Sequence, residues 1–207
     1  MKQKLDMDNW ARKDQFHFFK TFEEPFFGIC VSVDCTRAYR QAKERGVSFF
    51  LYYLHKSLVA ANETEPFRYR MAEEEVLVYD RVHASATINR PNGTFGFSYI
   101  DYYADFGEFV AAAQVEIERV QNSTGLIPSG AGENVIHYSA IPWLNFTGLS
   151  HARRYSFPDS CPKISFGKVT EVAGRLQMPV SIHAHHALMD GYHVGQYVDR
   201  FQELLES

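Results

Sequence analysis

The sequence is poor in cysteine, has no long apolar run and has no concentration of positive charge. Its three cysteines are Cys30, Cys35 and Cys161, and no two stand as a CxxC pair. An odd count without paired spacing excludes a disulfide framework and a cysteine-built zinc site, and makes a reducing compartment the natural one. No stretch reaches the roughly 18 apolar residues of a membrane span. The segment Met1 to Trp10 is polar, without the apolar core of a secretory signal, so the cytoplasm is the expected location. Lysine and arginine total 21 against 25 acidic residues, for a net charge of −4. With no basic stripe, neither nucleic acid nor an anionic membrane is expected as partner.

What the chain does have is apolar and aromatic surface. Of 207 residues, 45% are apolar and 22% charged, with 17 phenylalanines and 12 tyrosines. That composition predicts a globular protein. With no repeat or low-complexity linker, one domain over residues 1–207 is expected. Helical spacing appears at 36–43, at 47–62 (Phe50, Leu54, Leu58, Ala61) and at 105–121 (Phe106, Phe109, Val110, Ala113, Ile117, Val120). A final helix begins near Tyr192. Strands are predicted at 76–79, 83–89, 94–100 and 135–140, with a turn at Arg90-Pro91-Asn92-Gly93. Residues 163–172 and 177–183 read as a hairpin around Ala173-Gly174-Arg175. The irregular alternation predicts an α+β fold, a two-layer sandwich of a mixed sheet with helices mainly on one face.

The densest chemistry lies in Ser181 to Gly191, which holds His183, His185 and His186 and then Asp190-Gly191. The residues alone allow three readings. His183 and His185 share one face of a strand and offer two metal ligands, but no third ligand and no HExxH helix accompany them. Alternatively, all three are structural histidines at a strand end. In the third reading, one neutral imidazole is a general base, suited to neutral pH by a pKa near 6.5. The spacing His-x-x-x-Asp-Gly favours the third, because it presents the ring from a strand end just before a turn and a helix.

His185-His186-Ala187-Leu188-Met189-Asp190-Gly191-Tyr192-His193-Val194 resembles the signature of the chloramphenicol acetyltransferase family. Other segments extend the resemblance over nearly the whole chain: Asn9-Trp10-x-Arg12-Lys13-x-x-Phe16, Pro66-Phe67-Arg68, Thr94-Phe95 and Ser139-Ala140-Ile141-Pro142-Trp143. The resemblance implies an O-acetyltransferase with acetyl-CoA as co-substrate, no metal, and a small hydroxyl-bearing acceptor, chloramphenicol or a related compound. It also implies a homotrimer with active sites between subunits, and a role in antibiotic resistance. By position, His186 would be the general base and Ser139 the donor to the oxyanion, while Asp190 and Arg12 would form an ion pair that holds the site. Ser165, Lys168 and Trp143 would serve the CoA side. Phe18, Phe19, Phe95, Ile127, Leu149 and His151 would line the acceptor pocket.

The chain departs from the family on the acceptor side. His151 and Arg153 stand where apolar residues wall the antibiotic pocket, which predicts a polar or cationic wall and an acceptor with an anionic or polar group. Three rivals remain. Dihydrolipoamide acyltransferase domains share HxxxDG, but this chain has no lipoyl or linker region. A non-catalytic ligand-binding relative and a histidine-based metallohydrolase are the others.

Overall fold

The computed structural model describes residues 1–126, 132–155 and 159–207. Among these are ten strands and five α-helices. The main sheet is mixed and runs in the order β2 (Phe26–Asp34), β10 (Arg175–His185), β8 (Lys163–Phe166), β7 (Val135–Ala140), β5 (His83–Asn89), β6 (Phe95–Phe97). β9 (Thr170–Val172) also pairs with β10. Strands β5, β7 and β8 are mutually parallel, and the other pairings are antiparallel. A small second sheet has the order β1 (Lys2–Lys4), β4 (Glu75–Tyr79), β3 (Tyr69–Ala72).

Alternation along the central strands divides the main sheet into two unlike faces. Ile136, Tyr138, Ile164, Phe166, Val180, Ile182 and Ala184 point into the main core. There they meet α2 (Thr36–Glu44), α3 (Phe49–Glu63), α4 (Phe106–Gln121) and α5 (Gly191–Glu206). The expected two-layer arrangement with helices on one face is the one found. Helix α1 (Lys13–Phe19) packs instead on the small sheet, where Phe16 lies in a second core with Tyr69, Val76, Val78, Ala187 and Leu188. Arg70 fastens the small sheet to the large one. It is fully buried and donates to the carbonyls of Phe67, Tyr69, Glu133 and Val135, so its charge is lodged among backbone dipoles.

Two predicted strands come out shorter than expected. In the segment 94–100 the continuous ladder covers only Phe95–Phe97: the Ser98 hydroxyl inserts against the Ala86 backbone, accepting from its N–H (3.2 Å) and donating to its carbonyl (2.9 Å), and pairing resumes as a single bridge between Ile100 and Ala84. The segment 163–172 breaks into β8 and β9. Opposite the break stands Pro179, which has no N–H to donate, and the Lys168 amide turns away to the Leu144 carbonyl (2.8 Å). The hairpin turn is Ala173-Gly174, both at positive φ (50° and 78°), which fits a two-residue type I′ connection.

Candidate active site

The second face of the sheet is polar, and cross-strand register lays its side chains out in rows. One row runs Ser85, His137, Lys163, His183 and Gly28 across β5, β7, β8, β10 and β2. The next contains Ser139, Ser165, Ser181 and Cys30. The loop 141–155 crosses this face. His151 sets its ring edge-on to that of His183, centroids 4.7 Å apart. Gly28 makes room for the crossing ring: a Cβ there would lie 2.5 Å from His183 Nε2. A cleft of about 680 Å³ opens beside the rows, lined by Ser85, Thr87, Phe95, Phe97, Leu126, His137, Ser139, His151 and Lys163, among others. A smaller cavity of about 340 Å³ lies on the other side of His151, toward Glu24, Phe26 and Arg153.

His186 sits elsewhere, just past the end of β10. Its backbone N–H donates to the Pro25 carbonyl (2.8 Å), and its own carbonyl accepts from Arg12 Nη2 (3.0 Å). The imidazole lies flat on Phe19, with centroids 3.9 Å apart and planes at 2°, and against Phe27 at 4.7 Å. Its Nδ1 is buried with no partner among the described residues. Packing, not a carboxylate, sets the ring's orientation, so this is not a Ser-His-Asp triad. Asp190 instead pairs with Arg12 through Nη1, caps α5 at the Tyr192 amide (3.0 Å) and meets His193 Nδ1 (2.9 Å). Burial alone would raise the Asp190 pKa, but Arg12 and then His193 outweigh it and hold the carboxyl below its usual range.

Within one chain His186 and Ser139 are far apart. Ser139 is in register with Ser165, and Ser165 with Ser181, five residues before His186. At about 3.3 Å per residue along a strand and 4.8 Å between strands, the two side chains are roughly 15–20 Å apart. His186 does not line the cleft that holds Ser139.

The other predicted residues divide between these two places and an exposed rim. Phe19 belongs with His186, whereas Phe18 is 61% exposed and touches Phe19 and Phe22. Phe95 and His151 line the cleft. Leu149 lies half-buried in the crossing loop. Trp143 is 65% exposed, and Lys168, also exposed, is tied to the adjacent Leu144. Ser165 is fully buried in the hydroxyl row, its Oγ without a partner among the described residues. Ile127 lies outside the described residues.

The wall at His151 and Arg153 is polar, as expected, but it is not cationic. Arg153 is ion-paired with Glu24 and stacked over Phe26 at 3.8 Å. Lys163 is ion-paired with Asp159. Burial, reinforced by neighbouring cations and imidazoles, pushes the pKa of His137 and of His151 down to about 4. Burial lowers His183 as well. Near neutral pH these rings are uncharged. The charges that cancel Arg153 and Lys163 come from positions far away in sequence or in an adjoining loop, so the spacing around Trp143 could not reveal them. His137, Lys163 and Phe27 were the residues that sequence reasoning missed. The available signal was the strand period: His137 and Lys163 each stand two residues before a singled-out serine.

His183 and His185 do share a strand face, but they do not pair. His185 is buried beside Phe26, its Nδ1 accepting from the Ala187 amide (3.2 Å). A different trio, His137, Asp159 and Cys161, brings its ligand atoms within 4.8 Å of one another. Two of the three are already engaged: Asp159 is ion-paired with Lys163, and Cys161 Sγ donates to the Glu133 carbonyl (3.3 Å).

The chloramphenicol acetyltransferase family model matches residues 2–202. This chain belongs to the chloramphenicol acetyltransferase family. It is therefore an acyltransferase. It is 28% identical to chloramphenicol acetyltransferase 3 of Escherichia coli, over 99% of this chain and 97% of that one. To the chloramphenicol acetyltransferase of Bacillus pumilus it is 27% identical, over 96% and 91%. A solved chloramphenicol acetyltransferase superposes with a TM-score of 0.86 at 32% identity, covering 99% of this chain and all of the other. A probable dihydrolipoamide acetyltransferase from Listeria monocytogenes 4b F2365 shares the fold, with a TM-score of 0.69 at 13% identity.

Proposed function

We propose that this chloramphenicol acetyltransferase family member moves an acetyl group from acetyl-CoA to the hydroxyl of a small acceptor, at a site shared by two copies of the chain. The observation that carries this reading is the separation of His186 from Ser139. The base and the oxyanion donor of one reaction must lie within a few ångströms of the same atoms. Two groups at opposite ends of a sheet meet that need only if a neighbouring copy supplies one of them. A closed ring of identical subunits joined head to tail does so, and the expected homotrimer is such a ring.

In that site the acceptor lies in the cleft over the serine row, and His186 of the adjoining copy faces it. Nε2 of His186 takes the hydroxyl proton as the oxygen attacks the thioester carbonyl. Stacking between Phe19 and Phe27 and the anchored backbone fix the ring's direction, which general-base catalysis requires. Ser139 donates to the oxygen on which negative charge develops. The thioester C–S bond then breaks, and the imidazolium returns its proton to the sulfur, giving an acetyl ester and free CoA. Arg12 and Asp190 keep the His186 carbonyl and the start of α5 in place, without touching the reacting atoms. Trp143, Lys168 and Ser165 remain the proposed CoA-side residues.

The test is thiol release from acetyl-CoA with chloramphenicol and with an analogue whose hydroxyls are blocked. Release should require both the free hydroxyl and His186. An undiminished rate in His186→Ala would refute the assignment.

A further inference from the structure

Resting on that reading of the cleft, we infer that Arg90 is a positioning residue for the acceptor. It clamps the β5–β6 turn to the end of α4, and so holds Phe95 and Leu126 in place as one wall of the cleft. These two residues line the cleft on one side and a second hollow of about 560 Å³ on the other. They form a partition. Core packing does not fix it, because Phe95 is 43% exposed and Leu126 53%. Its place depends on the backbone that carries it.

Regular structure holds that backbone only in part. Phe95 begins β6, a three-residue strand at the edge of the main sheet, and Leu126 lies in the loop after α4. Arg90, just past the end of β5, ties the two together. Its Nε donates to the Val120 carbonyl (3.0 Å) and its Nη1 to the Phe95 carbonyl (2.8 Å). Its Nη2 donates to the Gly125 carbonyl (2.7 Å) and the Ser123 hydroxyl (3.3 Å). The bonds thus end on Phe95 itself and on the residue beside Leu126.

The chemistry of the side chain suits this task. A planar fork of five donors can serve four oxygens in fixed directions, which an ammonium on a flexible stem cannot. The Val120 carbonyl lies in the last turn of α4, where helix carbonyls lack partners and the dipole favours a cation. Gly96 lets the guanidinium lie close against β6: a Cβ there would stand 2.5 Å from Arg90 Nη2.

The experiment compares full-length wild type, Arg90→Met, Arg90→Lys and Gly96→Ala in thiol release from acetyl-CoA, with chloramphenicol or 2-phenylethanol as acceptor. Arg90→Met should raise the acceptor KM about tenfold, the scale of re-ordering two side chains each time the acceptor binds. Because Arg90 touches none of the reacting groups, kcat and the acetyl-CoA KM should stay within about twofold. Gly96→Ala pushes the guanidinium aside without removing it. It should show the same split, and it carries the test if Arg90→Met does not fold. Arg90→Lys keeps the charge but loses the fork, and its acceptor KM should fall between. Lower kcat with unchanged acceptor KM in Arg90→Met and Gly96→Ala would show a merely structural arginine and overturn the inference. A wild-type acceptor KM in Arg90→Lys would overturn it too, and acetyl transfer stands in both cases. Thiol release with neither acceptor, while acetyl-CoA still binds, would overturn the acetyl-transfer reading and this inference with it.

Discussion

The ring of Phe19 lies parallel to that of His186 at 3.9 Å, so an aromatic from the first helix backs the proposed base at the end of the last long strand. Phe27 closes the other side at an angle of 45°. With no carboxylate on Nδ1, these two rings hold the imidazole's direction. Phe19→Ala should therefore cost about 10²-fold in kcat, the scale of a misplaced catalytic group. Phe19→Tyr should cost far less. Single-turnover acetyl transfer by the two variants, compared with wild type, checks this.

Arg12 and Asp190 join residues 178 positions apart, and Arg12 also holds the His186 carbonyl. Stripping a fully buried pair of one partner costs about 3–5 kcal/mol. Asp190 remains a third exposed, so Asp190→Asn should cost less, about 2 kcal/mol. Because the folded-state pKa of Asp190 is lowered, its stabilisation is complete above its unfolded pKa, about 3.9. It disappears as pH falls through the lower folded value. Urea titrations should show a constant gap between wild type and Asp190→Asn above about pH 5, narrowing below about pH 4.

A second pH dependence belongs to His137, His151 and His185. Each is pushed by burial to about 4, whereas the unfolded chain takes up these protons near pH 6.5. Unfolding therefore binds protons in that window, and the histidines favour the fold above it. Stability should fall steeply as pH drops from about 6.5 to about 4. His185→Gln should flatten part of that fall. Urea midpoints measured across this range decide it.

Gly28 is the open position beneath His183. Gly28→Ala places a methyl 2.5 Å from the ring nitrogen, and the imidazole must turn to escape it, at a cost of about 0.5–1.5 kcal/mol in rotamer strain. The His183–His151 contact should loosen, and KM for the acceptor should rise several-fold. An unchanged acceptor KM would show that the row takes no part in acceptor binding.

Much of this architecture could be read from residue patterns. The apolar period from Phe106 to Val120 and the Asp105 cap delimit α4, and His83–Asn89 and Val135–Ala140 match β5 and β7 residue for residue. Elements that depend on distant partners could not be read in this way. Phe26–Asp34 carries Gly28 as its third residue and is a strand because it pairs with β10 over nine residues. Lys13–Phe19 has no strong apolar period and is held by Phe16 in the small core. The site divides likewise. The Asp190-Gly191 turn and helix start were legible, but the pairing of Arg153 with Glu24 was not, and it decides between the two expected characters of the wall, polar rather than cationic.

The central claim is that one site draws His186 and Ser139 from different copies. His186→Ala and Ser139→Ala should each be nearly inactive. Unfolded together in equal amounts and refolded as mixed assemblies, they should regain about a quarter of wild-type activity, the share of interfaces that by chance join an intact His186 to an intact Ser139. A mixture no more active than the two variants refolded separately would contradict the account.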